Sequence, residues 1–221
     1  MNTVMKKRFT RSLRAFSPRT DDVLVAVTLE NLQSLLLLDL LLDIEKEYNV
    51  RIHHLHIGES IPREIEERVS RSPIIASTRL IRLKPKNYTD VKLNVVSNLG
   101  QYPSDSLYVL PFTADDLACY FLEELLKANL TGLALEAEAR TAYPLYTTTN
   151  SEVGQVYRGT SLRAATIRDC DLLQALAGRV ALQAFGNFYV EAYVKRRGGA
   201  RVNVEGEFQG RLGAAGGNED E

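Results

Sequence analysis

The sequence predicts an α/β protein with an open parallel sheet and helices on both faces. Three observations carry this. Short β-branched runs, "VLVAV" at 23–27 and "VRIHHLHI" at 50–57, alternate with longer helical patterns. Strands separated by helices in this way pair in parallel. The later run "SLYVLPF" at 106–112 is apolar almost throughout, as a strand covered on both faces must be. At 221 residues, 45% hydrophobic and 25% charged, the chain can bury one ordinary core.

The elements follow in order. Residues 1–20 are a basic segment in which Phe9, Leu13 and Phe16 recur at helical spacing, with Pro18 ending the helix. Strand 23–27 leads through a turn into a leucine-rich helix at 32–48, apolar on most of its circumference. Asn49 ends it, and 50–57 is the second strand. "SIPREIEERVSRS" reads as a helix capped by Ser60, with Pro62 early and acids in the first turns. "IIASTRLIRL" and "DVKLNVV" are β-like, and 106–112 is a buried strand. Residues 113–130 form a strong helix, 138–148 are extended around Pro144, and 151–159 form a short helix. A long helix covers 169–194, and 200–208 carry a weak strand pattern. The expected division is a basic helical segment 1–20, an α/β domain 21–197, and a glycine-rich, acidic-ended tail 198–221.

Several classes are disfavoured. A net charge of −1 argues against a uniformly basic nucleic-acid coat and leaves room for local patches. Cys119 and Cys170 form no CxxC and no zinc-finger spacing, so reduced thiols and a cytoplasmic location are expected. The basic start lacks an apolar core of a signal peptide, and the run 35–42 is short and broken by Asp39, so no membrane association is expected.

The turn after the first strand reads Thr28-Leu29-Glu30-Asn31-Leu32-Gln33-Ser34. Strand, turn and helix together are the frame of a phosphate site, in which glycines let backbone N–H groups close on the ligand. Here the turn has neither glycine nor lysine, and it carries a glutamate. Two like charges about 4 Å apart repel by ~4 kcal/mol at an effective dielectric of 20. Glu30 or Ser34 could instead simply cap the helix.

"VLVAV" followed by a helix ending in "LLDLL" resembles the PP-loop family of N-type ATP pyrophosphatases, whose turn reads S-G-G-x-D-S. Later landmarks fall in the same order over residues 9–194. "HIGES" stands at the family's polar-glycine turn, and Asp115 and Asp116 of "FTADDLACYFLEELLKANL" stand on its paired aspartates. "ARTAYPLYTTTNSEVGQVYR" resembles its R-x-x-x-x-P-L segment, and "IRDCDLLQALAGRV" its late cysteine stretch. The resemblance implies a PP-loop, Rossmann-like fold of the tRNA 2-thiolation branch. Active members adenylate a tRNA uridine and deliver sulfur, and the eukaryotic cytosolic enzyme works with a degenerate second subunit. This chain resembles such a subunit. It is expected to be a non-catalytic partner of an active homologue and of tRNA, with no cofactor, its degenerate loop being Thr28, Glu30, Asn31 and Ser34. The alternative is a protein or enzyme that binds an adenine nucleotide in the same crevice; if active, it would be an adenylating sulfurtransferase.

Other residues have competing readings. Asp115 and Asp116 are a residual metal or nucleotide pair by resemblance, or the capping box Thr113–Asp116 with a second favourable charge. Phe112, Thr113 and Cys119 replace family residues around that pair. Cys170 is a residual sulfur site by resemblance, but a single thiolate cannot hold an iron–sulfur cluster. Cys119 reads as a small hydrophobe. His54 and His56 share a strand face, as a metal site or as one polar face of the sheet. Lys7, Arg8, Arg11 and Arg14, with Lys195, Arg196, Arg197 and the neighbouring Lys6 and Arg201, are phosphate or partner contacts, or solvated faces.

Overall fold

The computed structural model describes residues 3–19, 22–48, 50–126, 131–157, 159–167 and 182–194. Cys170, Lys195, Arg196, Arg197, the strand pattern at 200–208 and the tail lie outside them, as does the first half of the helix expected at 169–194.

Five strands form one parallel sheet in the order β3-β2-β1-β4-β5: β1 Leu24–Thr28, β2 Ile52–Gly58, β3 Ile75–Arg82, β4 Leu107–Val109 and β5 Arg140–Ala142. The chain winds outward from β1 to β3, then returns to place β4 on the other side of β1. The switch point is thus between the carboxyl ends of β1 and β4, where sheets of this kind bind their ligands.

The helices divide between the faces by the alternation of strand side chains. On one face Leu24, Ala26, Ile52, Leu107 and Val109 meet α1 (Thr3–Arg14), α2 (Leu32–Glu45), α3 (Arg63–Arg71) and α7 (Asn150–Val156). On the other, Val25, Val27, Leu55, Ile57, Tyr108 and Leu110 meet α4 (Tyr88–Ser97), α5 (Ala114–Leu126), the single turn α6 (Thr131–Ala134) and α8 (Leu182–Tyr189). α2 is apolar all round because it lies between the sheet and other helices, with Leu35, Leu36, Leu37, Leu38, Leu40 and Leu41 all at 0% exposure.

Three expectations need correction. "DVKLNVV" is helical, within α4. Asn87 caps it by accepting from Asp90 N at 2.8 Å, and Tyr88, Val91, Lys92 and Val95 are its buried face. The alternating valines imitate a strand, but the 3–4 spacing of the buried residues prevails. Ser60 does not cap α3; Pro62 occupies that position, without a side-chain cap bond. α1 buries Met5, Phe9 and Leu13 in the α2-side core, while Phe16 is only half-buried, edge-on to Tyr143 and Tyr146.

Candidate functional site

Three helix N-termini converge at the switch point: α2 after β1, α5 after β4 and α7 after β5. Each carries unpaired N–H groups and partial positive charge, so together they would suit an anion. In this chain each is met by the protein's own groups.

Asn31 caps α2. Its backbone is extended (φ −145°, ψ 166°), and its Oδ1 accepts from Ser34 N at 3.0 Å and Ser34 Oγ at 2.7 Å. Leu29 N in turn donates to Ser34 Oγ at 2.7 Å. Leu32 N donates to Arg163 O at 3.0 Å, and Gln33 Nε2 to Ala165 O at 2.7 Å. Residues 163–165 therefore lie across the start of α2. The cap expected of Glu30 or Ser34 belongs to Asn31, whose short side chain reaches the third helical N–H. Glu30 turns the other way, accepting Glu59 N at 2.8 Å and Ser60 N at 3.3 Å beyond β2. Gly58 permits that turn, since a Cβ there would stand 2.7 Å from His56 Nε2 and 2.8 Å from Glu30 Oε1.

Asp116 and Thr113 cap α5 reciprocally. Thr113 N donates to Asp116 Oδ2 at 2.9 Å and Asp116 N to Thr113 Oγ1 at 3.3 Å. Tyr88 OH donates to Asp116 Oδ1 at 2.7 Å. Burial pushes the Asp116 carboxyl up to about 6, against the lowering effect of these bonds. Asp115 reaches sideways to α7, accepting Asn150 N at 2.6 Å, and burial raises its pKa also. Thr149 and Glu152 complete the cap of α7. Asn150 Oδ1 ties the three starts together by accepting from Gln33 Nε2 and Thr113 Oγ1, both at 2.9 Å. The two aspartates are thus spent on helix ends, and among the described residues no group of three or more His, Cys, Asp or Glu side chains could hold a metal ion.

Beside this closure, Thr28 Oγ1 lies 2.7 Å from both His54 Nε2 and His56 Nδ1. The hydroxyl has one proton, so it donates to one ring and accepts from the other. Both rings are fully buried, and among the described residues His54 Nδ1 and His56 Nε2 have no hydrogen-bond partner. Burial first, then repulsion from His56, lowers His54 to about 4; burial lowers His56 against the pull of Glu30. His53 faces away and meets Ser77 Oγ at 2.7 Å. Cys119 is fully buried in α5.

The basic face of α1 is only partly open. Arg8 is ion-paired to Glu152 at 2.8 Å, and Lys6 to Asp43 at 2.7 Å. Lys7, Arg11 and Arg14 stay exposed, and they line a groove with Lys6, Thr3 and Thr10. The sequence reading gave no weight to a second set of cations, Arg79, Arg82, Lys84 and Lys86, on β3 and its exit. The signal was available: between Glu67 and Asp90 there is no acidic residue.

Fold and site together define an open parallel α/β protein whose anion position at the switch point is filled by its own polar groups. No family model and no curated protein matches the sequence. Among solved structures, the fold is similar to that of the U34-tRNA thiolase NcsA from Methanococcus maripaludis, determined with its [4Fe-4S] cluster. The TM-score is 0.59 at 14% identity, over 88% of this chain and 79% of that one. The likeness is one of fold, and it includes the five-stranded parallel sheet.

Proposed function

We propose that the chain is a non-catalytic PP-loop-fold subunit that supports an active homologue in tRNA modification, with wobble-uridine 2-thiolation as the reaction served. The observation that carries this reading is the closure of the α2 start. A triphosphate there would have to displace Asn31 Oδ1 from Ser34 N and Arg163 O from Leu32 N. The turn has no glycine to let backbone approach a phosphate closely. An iron–sulfur cluster like that of the thiolase does not fit this chain either. Such clusters take three or four thiolates, and the sequence has two cysteines, of which Cys119 is fully buried. What supports a thiolation role is the shared fold and the order of landmarks along it.

In this reading the protein contributes surface. The partner is the active PP-loop homologue, the shared substrate is tRNA, and the setting is the cytoplasm. Among the described residues no helix is long and apolar enough to cross a membrane. Affinity capture of the tagged chain from native extract tests the reading. The expected result is recovery of a glycine-loop PP-loop protein, together with loss of 2-thiouridine from tRNA when the chain is depleted. Intact 2-thiouridine after depletion overturns it.

A second reading takes its support from His54 Nδ1 and His56 Nε2, since buried polar atoms without partners call for an explanation. A nucleoside or adenylate whose base meets those nitrogens would supply one. Thermal-shift measurements with adenosine and AMP decide it, because a ligand that binds only the folded state raises the midpoint.

A further inference from the structure

A second stretch as one-sided in charge as residues 1–20 lies away from the chain's ends. Residues 68–89 hold six cations and no acid: Arg68, Arg71, Arg79, Arg82, Lys84 and Lys86. Two of these are paired, Arg68 with Asp39 at 3.2 Å and Arg71 with Glu67 at 3.7 Å. The other four lie on β3 and on the segment that leads from it to α4. All four are exposed, and none has an acidic side-chain partner among the described residues. Arg79 donates to the neutral Gln101 at 2.6 Å. Asp90 accepts the backbone N–H of Lys86 at 2.8 Å, not its ammonium.

These four cations lie close together along the chain. Arg82 closes β3, and the chain turns there, with Leu83 N donating to Ile81 O at 2.9 Å. Lys84 and Lys86 follow on either side of Pro85, so that three exposed cations fall within five residues. β3 is the edge strand of the sheet, and residues 76–79 of it are exposed. Arg82 pairs in register with Gly58, the last residue of β2, beside the turn held by Glu30. The set therefore reaches the carboxyl end of the sheet at Arg82 and continues past it with Lys84 and Lys86. Like charges so arranged repel one another, and a polyanion with regularly spaced charges relieves that repulsion.

We propose that Arg79, Arg82, Lys84 and Lys86 form a binding surface for an RNA phosphodiester backbone, laid along the edge of the sheet toward the carboxyl ends of the strands. This rests on the RNA part of the reading above and places its main contact on β3 rather than on α1. The test is filter binding of a tRNA transcript to the full chain, from about 50 to about 200 mM salt, with Arg82→Gln/Lys84→Gln/Lys86→Gln beside Lys7→Gln/Arg11→Gln/Arg14→Gln. The β3 variant should bind at least tenfold more weakly at low salt. Its log–log salt slope should flatten by about 2, from three phosphate contacts at about 0.7 each. Its melting midpoint and its capture of the catalytic homologue should not change. The proposal is overturned if the unaltered chain binds no tRNA at low salt, if the β3 variant binds as the unaltered chain does, or if that variant loses a protein partner while keeping RNA. Failure to capture any homologue counts against the subunit reading alone, since RNA binding is read separately.

Discussion

His54 and Asp116 are buried titratable groups whose pKa values move in ways that oppose each other in their effect on stability. His54 is lowered to about 4, so below its unfolded value near 6.5 the unfolded chain takes a proton that the folded chain refuses. Its contribution is present above pH 6.5 and is lost as pH falls toward 4. Asp116 is raised to about 6, so its contribution is present below about pH 4 and is lost as pH rises through 6. Between pH 5 and 7 the first favours the higher pH by about 2 kcal/mol and the second the lower pH by about 1 kcal/mol. Urea melts of the unaltered chain should therefore vary little over this range as far as these two groups are concerned. Asp116→Asn should make stability rise with pH, and His54→Gln should make it fall. Two variants with the same slope as the unaltered chain would show that neither group is held as described. The Thr113–Asp116 cap was legible in the sequence because it is a local spacing. The bridge from Thr28 to two histidines was not, because it depends on which residues of β1 and β2 come into register.

At the scale of elements, α4 and its neighbours carry a second buried polar group. Lys92 on α4 is ion-paired to Glu136, donates to Tyr189 OH at 2.6 Å, and sits 4.1 Å from the ring centroid of Tyr120. Tyr143 OH and Thr141 Oγ1 also donate to Glu136, each at 2.7 Å. The pair joins α4 to the β5 entry and to α8. Glu136→Ala should destabilise by about 3–5 kcal/mol, because it leaves a buried ammonium uncompensated. Lys92→Met/Glu136→Leu should cost less than that single change, as chemical denaturation would show. A double variant as damaged as the single one would mean that the surrounding tyrosines, not the charge, set the cost. The helical type of α4 was not legible in the sequence. Val91, Leu93 and Val95 alternate with Lys92 and Asn94 as in a strand, and a lysine on the buried face hides the helical period. By contrast, β1, β2, α2 and α5 were legible, since their apolar runs are long and each helix start has its own cap or turn residues. Helix packing also sets a close contact that periodicity does not show: a Cβ at Gly186 of α8 would stand 2.5 Å from Tyr146 O. Gly186→Ala should lower the melting midpoint by several degrees, about 1–3 kcal/mol of overpacking.

For the whole molecule, the sheet order decides where the helix starts meet, and the loops decide what fills that place. The order β3-β2-β1-β4-β5 brings the starts of α2, α5 and α7 together at one switch point, whatever their residues. The order of sequence landmarks made that frame legible. The filling of the position was only half legible, as a turn without glycine. The other half comes from residues 163–165, more than 120 positions beyond the turn, whose carbonyls meet Leu32 N and Gln33 Nε2. No local pattern in the sequence announces such a contact. Calorimetric titration of the purified full chain with Mg-ATP shows whether this closure excludes a triphosphate. The account predicts no saturable heat up to about 1 mM ligand, a binding free energy no better than about −4 kcal/mol. A micromolar dissociation constant with one site per chain would contradict it.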